Sequence, residues 1–343
     1  MFKINEVKIF TPEELSKSNI KHKNLLHFIM CADKNVLYPM GVLIFSILKN
    51  INEKSEFHIF FRGILPNEEE TKYQTLCDEF KCIIKVYFID ENSFNELYGT
   101  ADITITAFYR LIAPYILYQN GIKKCLYLDT DILCIKDISN IFQINLNDKI
   151  AYVVKDATSE PEKLKKYCKD LRKKDHNFFN SGVLLIDIKK YCENDIGKKT
   201  IELKKQGRDM RYVDQGVLNI ALEGKVVFDN ENYNNCTMSV RNQEILVDKI
   251  TLVHFTGTKK PWKKYTCLWG GEYKERGSYE WKYQFYKKWR DYAHLSPWKN
   301  CGFELPKKAE EWRYLMKMYY FPQKKYIKGI FAYLKYLKMK TFN

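Results

Sequence analysis

The sequence predicts an α/β domain with a mixed, mostly parallel central sheet, followed by a basic, aromatic-rich helical extension. Two observations carry this. Short apolar runs of strand length alternate with stretches of helical period through the first half of the chain. Composition then breaks near residue 259. Of 57 Lys+Arg and 42 Asp+Glu in 343 residues, 21 basic but only 7 acidic residues fall from 259 onward, together with all six tryptophans. The residues before the break are close to neutral, so nearly all of the net charge of +15 belongs to the extension.

In chain order, Leu25 to Ala32 is an apolar run of buried-strand length, and Val36 to Lys49 follows with helical spacing. Phe57 to Phe61 reads as a second strand, Glu68 to Phe80 as a polar helix and Ile83 to Asp90 as a third strand. Thr106 to Tyr118 is helical, with a kink expected at Pro114. Lys124 to Asp129 is a fourth strand running into Thr130 and Asp131. Beyond it, Ile150 to Lys155, Val183 to Asp187, Val226 to Asp229 and Ile250 to His254 read as strands. Leu164 to Leu171, Asp195 to Gln206 and Asp214 to Leu222 read as helices. The organisation expected is a lead-in over 1–23, a catalytic domain over 24–262 and an extension over 263–343.

Several classes are excluded. No apolar run reaches the ~18 residues of a membrane span. Residues 1–10 carry no signal-peptide core, so a cytoplasmic location is expected. The ten cysteines show no Cys-x-x-Cys and no zinc-finger spacing, which points to reduced thiols. Dinucleotide, P-loop and Gly-x-Ser-x-Gly patterns are absent. The end of the chain, Gln323 to Lys340, places Ile327, Ile330, Phe331, Leu334 and Leu337 on one helical face and most lysines elsewhere. That pattern fits a helix on an anionic membrane surface, and it equally fits a helix packed on its own domain with a solvated basic face. Nucleic acid is not expected as a partner, because no nucleic-acid motif accompanies the charge.

Asp129 and Asp131 follow an apolar strand. On an extended backbone, residues two apart point the same way, so both carboxylates converge at a strand's carboxyl end, where open α/β sheets bind ligands. Such a pair suits a hard divalent cation, and it equally fits a polar strand end or a solvated turn. His254 ends another apolar strand; taken alone it fits a core histidine before a basic turn, whereas an imidazole beside two carboxylates favours Mn²⁺ over Mg²⁺, with Mg²⁺ still a usable ion. Gly257 permits close approach of backbone to a phosphate, and Lys260 suits a diphosphate. Asn180, Ser181 and Gly182 precede a buried strand, as a turn or as donors to a sugar. Asp214 is a good helix N-cap with Gln215 behind it. Arg110 lies within a helix, and Asp33 and Asn35 follow the first strand.

The order of these features resembles glycosyltransferase family 8, the retaining GT-A-fold enzymes that use nucleotide sugars. The matching blocks are Cys31–Asn35, Tyr109–Leu111, Leu126–Asp131, Phe179–Leu185, Asp214–Asn219 and His254–Trp262. Together they cover about residues 24–262. The bacterial lipopolysaccharide core glucosyl- and galactosyltransferases look most similar, through the lead-in and the Ser296–Lys299 segment of the extension. The resemblance implies transfer of a hexose from UDP-glucose or UDP-galactose to a saccharide or lipid-linked saccharide acceptor. It implies Asp129, Asp131 and His254 as metal ligands, and Gly257 and Lys260 at the UDP diphosphate. Asp33 and Asn35 are implied at the uridine, and Arg110, Asn180, Asp214 and Gln215 around the donor sugar, with Gln215 and Asp214 nearest the chemistry. Asp156 is a candidate for a further donor-sugar contact. Val36 departs from relatives that stack an aromatic residue on uracil there. The competing classes are a metal-dependent nucleotidyltransferase, which needs no block at 254–262, and a non-catalytic sugar- or nucleic-acid-binding protein.

Overall fold

The computed structural model describes residues 3–14, 25–90, 105–158, 161–175, 177–206, 215–229, 231–237, 247–266, 281–321 and 323–341. The chain forms two compact units, Met1–His254 and Phe255–Asn343.

The first unit opens with β1 (Ile4–Phe10) and β2 (Leu26–Asp33), then α1 (Leu37–Leu48), β3 (Ser55–Arg62), α2 (Asn67–Phe80), β4 (Ile83–Ile89) and α3 (Ile105–Gln119). It continues through β5 (Lys124–Leu128), β6 (Ile132–Cys134), β7 (Ala151–Lys155), α4 (Pro161–Asp170), β8 (Phe179–Asp187), α5 (Ile188–Glu193) and α6 (Ile196–Lys205). It closes with α7 (Gln215–Ala221), β9 (Val226–Asp229), β10 (Asn235–Cys236) and β11 (Leu252–His254).

Eight strands form one sheet in the order β1-β4-β3-β2-β5-β8-β7-β9, in which only β1 and β8 run against the rest. The mixed, mostly parallel sheet is the one expected. Strand order reverses between β2 and β5, which makes their carboxyl ends the natural crevice for a ligand. The smaller sheet, β10-β11-β6, brings His254 opposite Ile132, one residue after Asp131.

Local sequence explains the elements. In α1 every residue but Tyr38 is buried, as its unbroken apolar run requires. In α2 the acidic residues Glu68, Glu69 and Glu70 sit in the first turn, where they complement the helix dipole, while Tyr73, Leu76 and Cys77 face inward. α3 continues past Pro114 to Gln119 and covers one face of the sheet; Ile112, Ile116, Ile29, Tyr127 and Leu184 share one core there.

Three local readings are corrected. The lead-in, to which the sequence assigned no element, supplies a strand: β1 pairs with β4 at the sheet edge. Asn180, Ser181 and Gly182 lie inside β8 rather than in a turn before it. Small polar residues carry little strand propensity, and the segment is held by pairing on both sides. Asp129 N–H donates to Gly182 O at 2.8 Å, while on the β7 side the register jumps from Leu184 opposite Val153 to Asn180 opposite Val154. Finally, Asp129 precedes and Asp131 lies in a turn between β5 and β6, instead of both alternating along one strand. The turn, and not extended geometry, brings their carboxylates to one place.

The second unit holds α8 (Trp281–Leu295), α9 (Ala309–Tyr320) and α10 (Tyr326–Thr341). Trp289 and Trp298 are fully buried, and the Trp262 and Trp289 rings lie 5.5 Å apart. Ser296 Oγ accepts from Trp298 N–H at 3.1 Å, fixing the turn after α8. α9 and α10 meet where a Cβ on Gly329 would fall 2.3 Å from the Tyr320 ring, so the close approach requires glycine. Only Gly329 and Ala332 of α10 are buried. The apolar face at Ile327, Ile330, Phe331, Leu334 and Leu337 is exposed, reaching 73% at Ile327. Among the described residues no helix is long and apolar enough to cross a membrane.

Candidate active site

The turn after β5 and the end of β11 bring Asp129, Asp131 and His254 together, with one ligand atom from each lying within 4.8 Å of the others. His254 Nε2 stands 3.1 Å from Asp131 Oδ1 and 3.9 Å from Asp129 Oδ2. The other Asp129 oxygen, Oδ1, is occupied: it accepts from Tyr127 OH at 2.6 Å and pairs with Arg110 Nη2 at 3.2 Å. The Arg110 guanidinium also lies over the Tyr127 ring at 4.7 Å and donates to Ser181 O and Oγ at 3.2 and 3.3 Å. Arg110 is thus the ion-paired helical arginine, and it sets which Asp129 oxygen faces the cluster.

The protonation of His254 follows from a chain of amides anchored at the backbone. Gly182 N–H is only a donor, so its 3.0 Å bond identifies Asn180 Oδ1 as an acceptor. Asn234 Nδ2 donates to that same oxygen at 2.9 Å, which turns Asn234 Oδ1 toward His254 Nδ1, also at 2.9 Å. Nδ1 therefore carries the hydrogen, and Nε2 faces the aspartates, as in metal sites whose histidine is oriented by an outer partner. Burial pushes the His254 imidazole down, but Asp131 reverses this by its charge and hydrogen bond, and the pKa stands well above the usual histidine value. The pocket favours a positive charge at Nε2.

The network continues to the remaining polar residues. Asn180 Nδ2 donates to Gln215 Oε1 at 3.3 Å, and Ser181 N–H donates to the same oxygen at 3.1 Å. Gln215 Nε2 donates to Asp156 Oδ2 at 3.2 Å, and Asp156 Oδ1 accepts from Thr158 N–H and Oγ1, both at 2.7 Å. Gly182 is required on steric grounds, because a Cβ there would lie 2.4 Å from His254 Cε1 and 2.9 Å from Asp129 Oδ2.

One imidazole nitrogen and two carboxylate oxygens this close together fit a divalent cation. Asp33 and Asn35 stand at and just after the carboxyl end of β2, the strand next to β5, and bond to each other. Asn35 N–H donates to Asp33 Oδ1 at 2.8 Å and Asn35 Nδ2 to Oδ2 at 3.2 Å. Gly257 and Lys260 belong to the second unit. Gly257 has φ +82°, a conformation that favours glycine, and Lys260 Nζ donates to Phe255 O. Asp214 lies outside the described residues, and Gln215 is the first residue of α7. Asn234 and Tyr127 were not visible as site residues in the sequence. The run Tyr233-Asn-Asn-Cys236 has no periodicity to mark a buried asparagine, and Tyr127 reads as one more strand residue.

A family model described as glycosyl transferase family 8 matches residues 27–266, and one described as glycosyl transferase family 8 C-terminal matches residues 283–340. The chain belongs to glycosyl transferase family 8. This family 8 protein is 28% identical over 317 residues to the lipopolysaccharide glucosyltransferase WaaO of Escherichia coli K12, covering 89% of this chain and 88% of that one. It is 31% identical over 323 residues to the lipopolysaccharide 1,3-galactosyltransferase of Salmonella typhimurium LT2, covering 90% and 89%. Among solved structures, galactosyltransferase LgtC in complex with donor and acceptor sugar analogues is similar at a TM-score of 0.61 and 22% identity, over 84% of this chain and 99% of that one. The transferase therefore has the GT-A type of α/β fold, and it is a glycosyltransferase.

Proposed function

We propose that this transferase moves a hexosyl group from UDP-glucose or UDP-galactose to a saccharide of a lipopolysaccharide or lipooligosaccharide core, with retention at the anomeric carbon. One observation carries the reading: a single hydrogen-bond chain joins the Asp129–Asp131–His254 cluster to Gln215. It occurs in a chain whose relatives are named as lipopolysaccharide glucosyl- and galactosyltransferases.

In this reading Asp129, Asp131 and His254 hold the cation. Bound there, Mn²⁺, or Mg²⁺ in its place, supplies Lewis-acid stabilisation of the charge that grows on departing UDP. Arg110 orients Asp129. Gly257 admits the diphosphate to the main chain, and the Lys260 ammonium neutralises it. Asp33 and Asn35 receive the uridine. Asn180, Asp214 and Gln215 surround the hexose, with Asp156 holding the Gln215 amide. A neutral amide is a poor nucleophile, so the acceptor hydroxyl attacks from the face that the leaving group vacates. Its oxygen bonds to the anomeric carbon as the anomeric C–O bond to phosphate breaks, and its proton passes to the departing phosphate oxygen.

The same proposal places the protein on the inner face of the cytoplasmic membrane, where lipid-linked acceptors lie. The support is α10, which leaves Ile327, Ile330, Phe331 and Leu334 in water while packing through Gly329 and Ala332. A solvated basic face alone does not account for that apolar row; seating it among anionic headgroups does.

The test is product analysis. The purified protein is supplied with UDP-glucose or UDP-galactose, Mn²⁺ and truncated core oligosaccharide, and the new linkage is read by NMR coupling at the anomeric proton. An α-linked hexose is expected from the α-linked donor. A β-linked product, or nucleotidyl transfer in place of hexosyl transfer, overturns the proposal.

A further inference from the structure

A second polar cluster lies at the other end of the main sheet. β2 and β3 pair in parallel with His27 opposite Glu56, and His58 projects from the same face two residues on. β4 contributes Lys85, opposite His58, and Tyr87. Farther along this face the corresponding positions are Ile29 and Phe60, which belong to the core. Four titratable side chains and a tyrosine thus replace apolar packing at one place.

We propose that His27, Glu56 and His58 form a second metal site, for a zinc-class divalent ion that ties β2 to β3. His27 Nδ1 and His58 Nε2 are 3.1 Å apart, and His58 Nε2 and Glu56 Oε1 are 3.6 Å apart. One ligand atom from each residue lies within 4.8 Å of the others. For an ion at ordinary zinc–ligand distances, the two measured separations correspond to angles of roughly 100° and 120°, on either side of tetrahedral. Two imidazole nitrogens and one carboxylate oxygen make a borderline donor set, which selects zinc-like ions over Mg²⁺ or Ca²⁺. Water takes the fourth position.

The surroundings are built for this. His58 Nδ1 meets Tyr87 OH at 3.0 Å, which orients the ring with Nε2 toward the cluster. His58 and Glu56 are buried, while His27 is half-buried and gives the ion a way in. A cation already stands on the carboxylate: Lys85 Nζ is 2.6 Å from Glu56 Oε1. The Lys85 side chain is 28% exposed, so its ammonium swings into solvent as the ion arrives. The hydrogen between His27 Nδ1 and His58 Nε2 moves to the other nitrogen of the His27 ring, leaving two neutral imidazole ligands. His27 lies six residues before Asp33 on β2, roughly 20 Å from the crevice edge of the sheet. The site shares no residue with the Asp129–Asp131–His254 cluster, so it stands or falls independently of the proposed reaction.

The test uses the full-length Asp131→Ala protein, which removes the first cluster, stripped of metal and titrated with Co²⁺ alone. Expected is the intense visible d–d absorption of tetrahedral Co²⁺, saturating at one equivalent and abolished by one equivalent of Zn²⁺. Zn²⁺ is expected to raise the thermal midpoint through binding to the folded state. Adding His27→Ala should remove both signals while the metal-free melt stays cooperative. Lys85→Met, which deletes the competing ammonium, should tighten Zn²⁺ binding about tenfold, an expectation that needs no loss of structure. Octahedral Co²⁺ spectra, binding unchanged by His27→Ala, or affinity unchanged by Lys85→Met overturns the proposal.

Discussion

At the scale of single residues, the candidate site depends on side chains that do not touch the cation position as well as on those that do. Asn234 fixes the His254 ring through its carbonyl oxygen, and its amide is fixed in turn by Asn180 and Gly182 N–H. Asn234→Ala should leave the fold intact and weaken Mn²⁺ binding about 10–100-fold, as loss of an outer-shell partner does. Isothermal titration checks it; unchanged affinity would remove the orienting role. Gly182→Ala places a methyl 2.4 Å from His254 Cε1, and the ring must shift. The expected result is a comparable loss of Mn²⁺ affinity with the thermal midpoint lowered by only a few degrees, read by titration and by melting. Asp129, Asp131 and His254 were singled out by their places after apolar strands together with the order of the family's blocks; each alone fits a polar turn or a core histidine as well. Asn234 was not singled out, because its partner Asn180 lies 54 positions away in sequence, and Tyr127 was not, because it reads as one more apolar strand residue although its hydroxyl bonds Asp129 only two positions on.

At the scale of elements, the apolar strands and the long helices were legible from periodicity, since each buries one face or both. The irregular pieces were not. β8 begins at Phe179, four residues before its apolar run, because pairing with the β5 turn and a register jump against β7 hold Asn180–Gly182 in the strand. Tertiary pairing there overrides weak local propensity. The three-residue β6 was too short for any pattern, yet its pairing with β11, the end of the strand read over Ile250–His254, brings Asp131 to His254. In α10 the sequence located the apolar row but left its partner open. Since Phe331 is 66% exposed, Phe331→Asp should not unfold the helix. Burying such a side chain contributes roughly 1.5–3 kcal/mol, so flotation with anionic vesicles should fall by about tenfold or more. Equal flotation of variant and wild type, with unchanged circular dichroism, would contradict the membrane role.

At the scale of the molecule, charge and chemistry are divided between segments. The residues before 259 are nearly neutral and carry the acidic cluster, while the remainder carries 21 basic and 7 acidic residues. This division was legible from composition alone. Attraction of the basic segment to anionic lipid should weaken as salt shortens the screening length, with vesicle binding at about 0.5 M NaCl well below that at low salt; the same flotation assay reads it. The central claim is that Asp129, Asp131 and His254 hold the cation on which UDP departure from a hexose depends. The most direct measurement is UDP release by the purified protein from UDP-glucose and from UDP-galactose, each with Mn²⁺, with EDTA, and for Asp131→Ala. Release from one of the donors in Mn²⁺, abolished by EDTA and by the folded Asp131→Ala variant, is the predicted result. Release that survives both EDTA and Asp131→Ala would contradict the account.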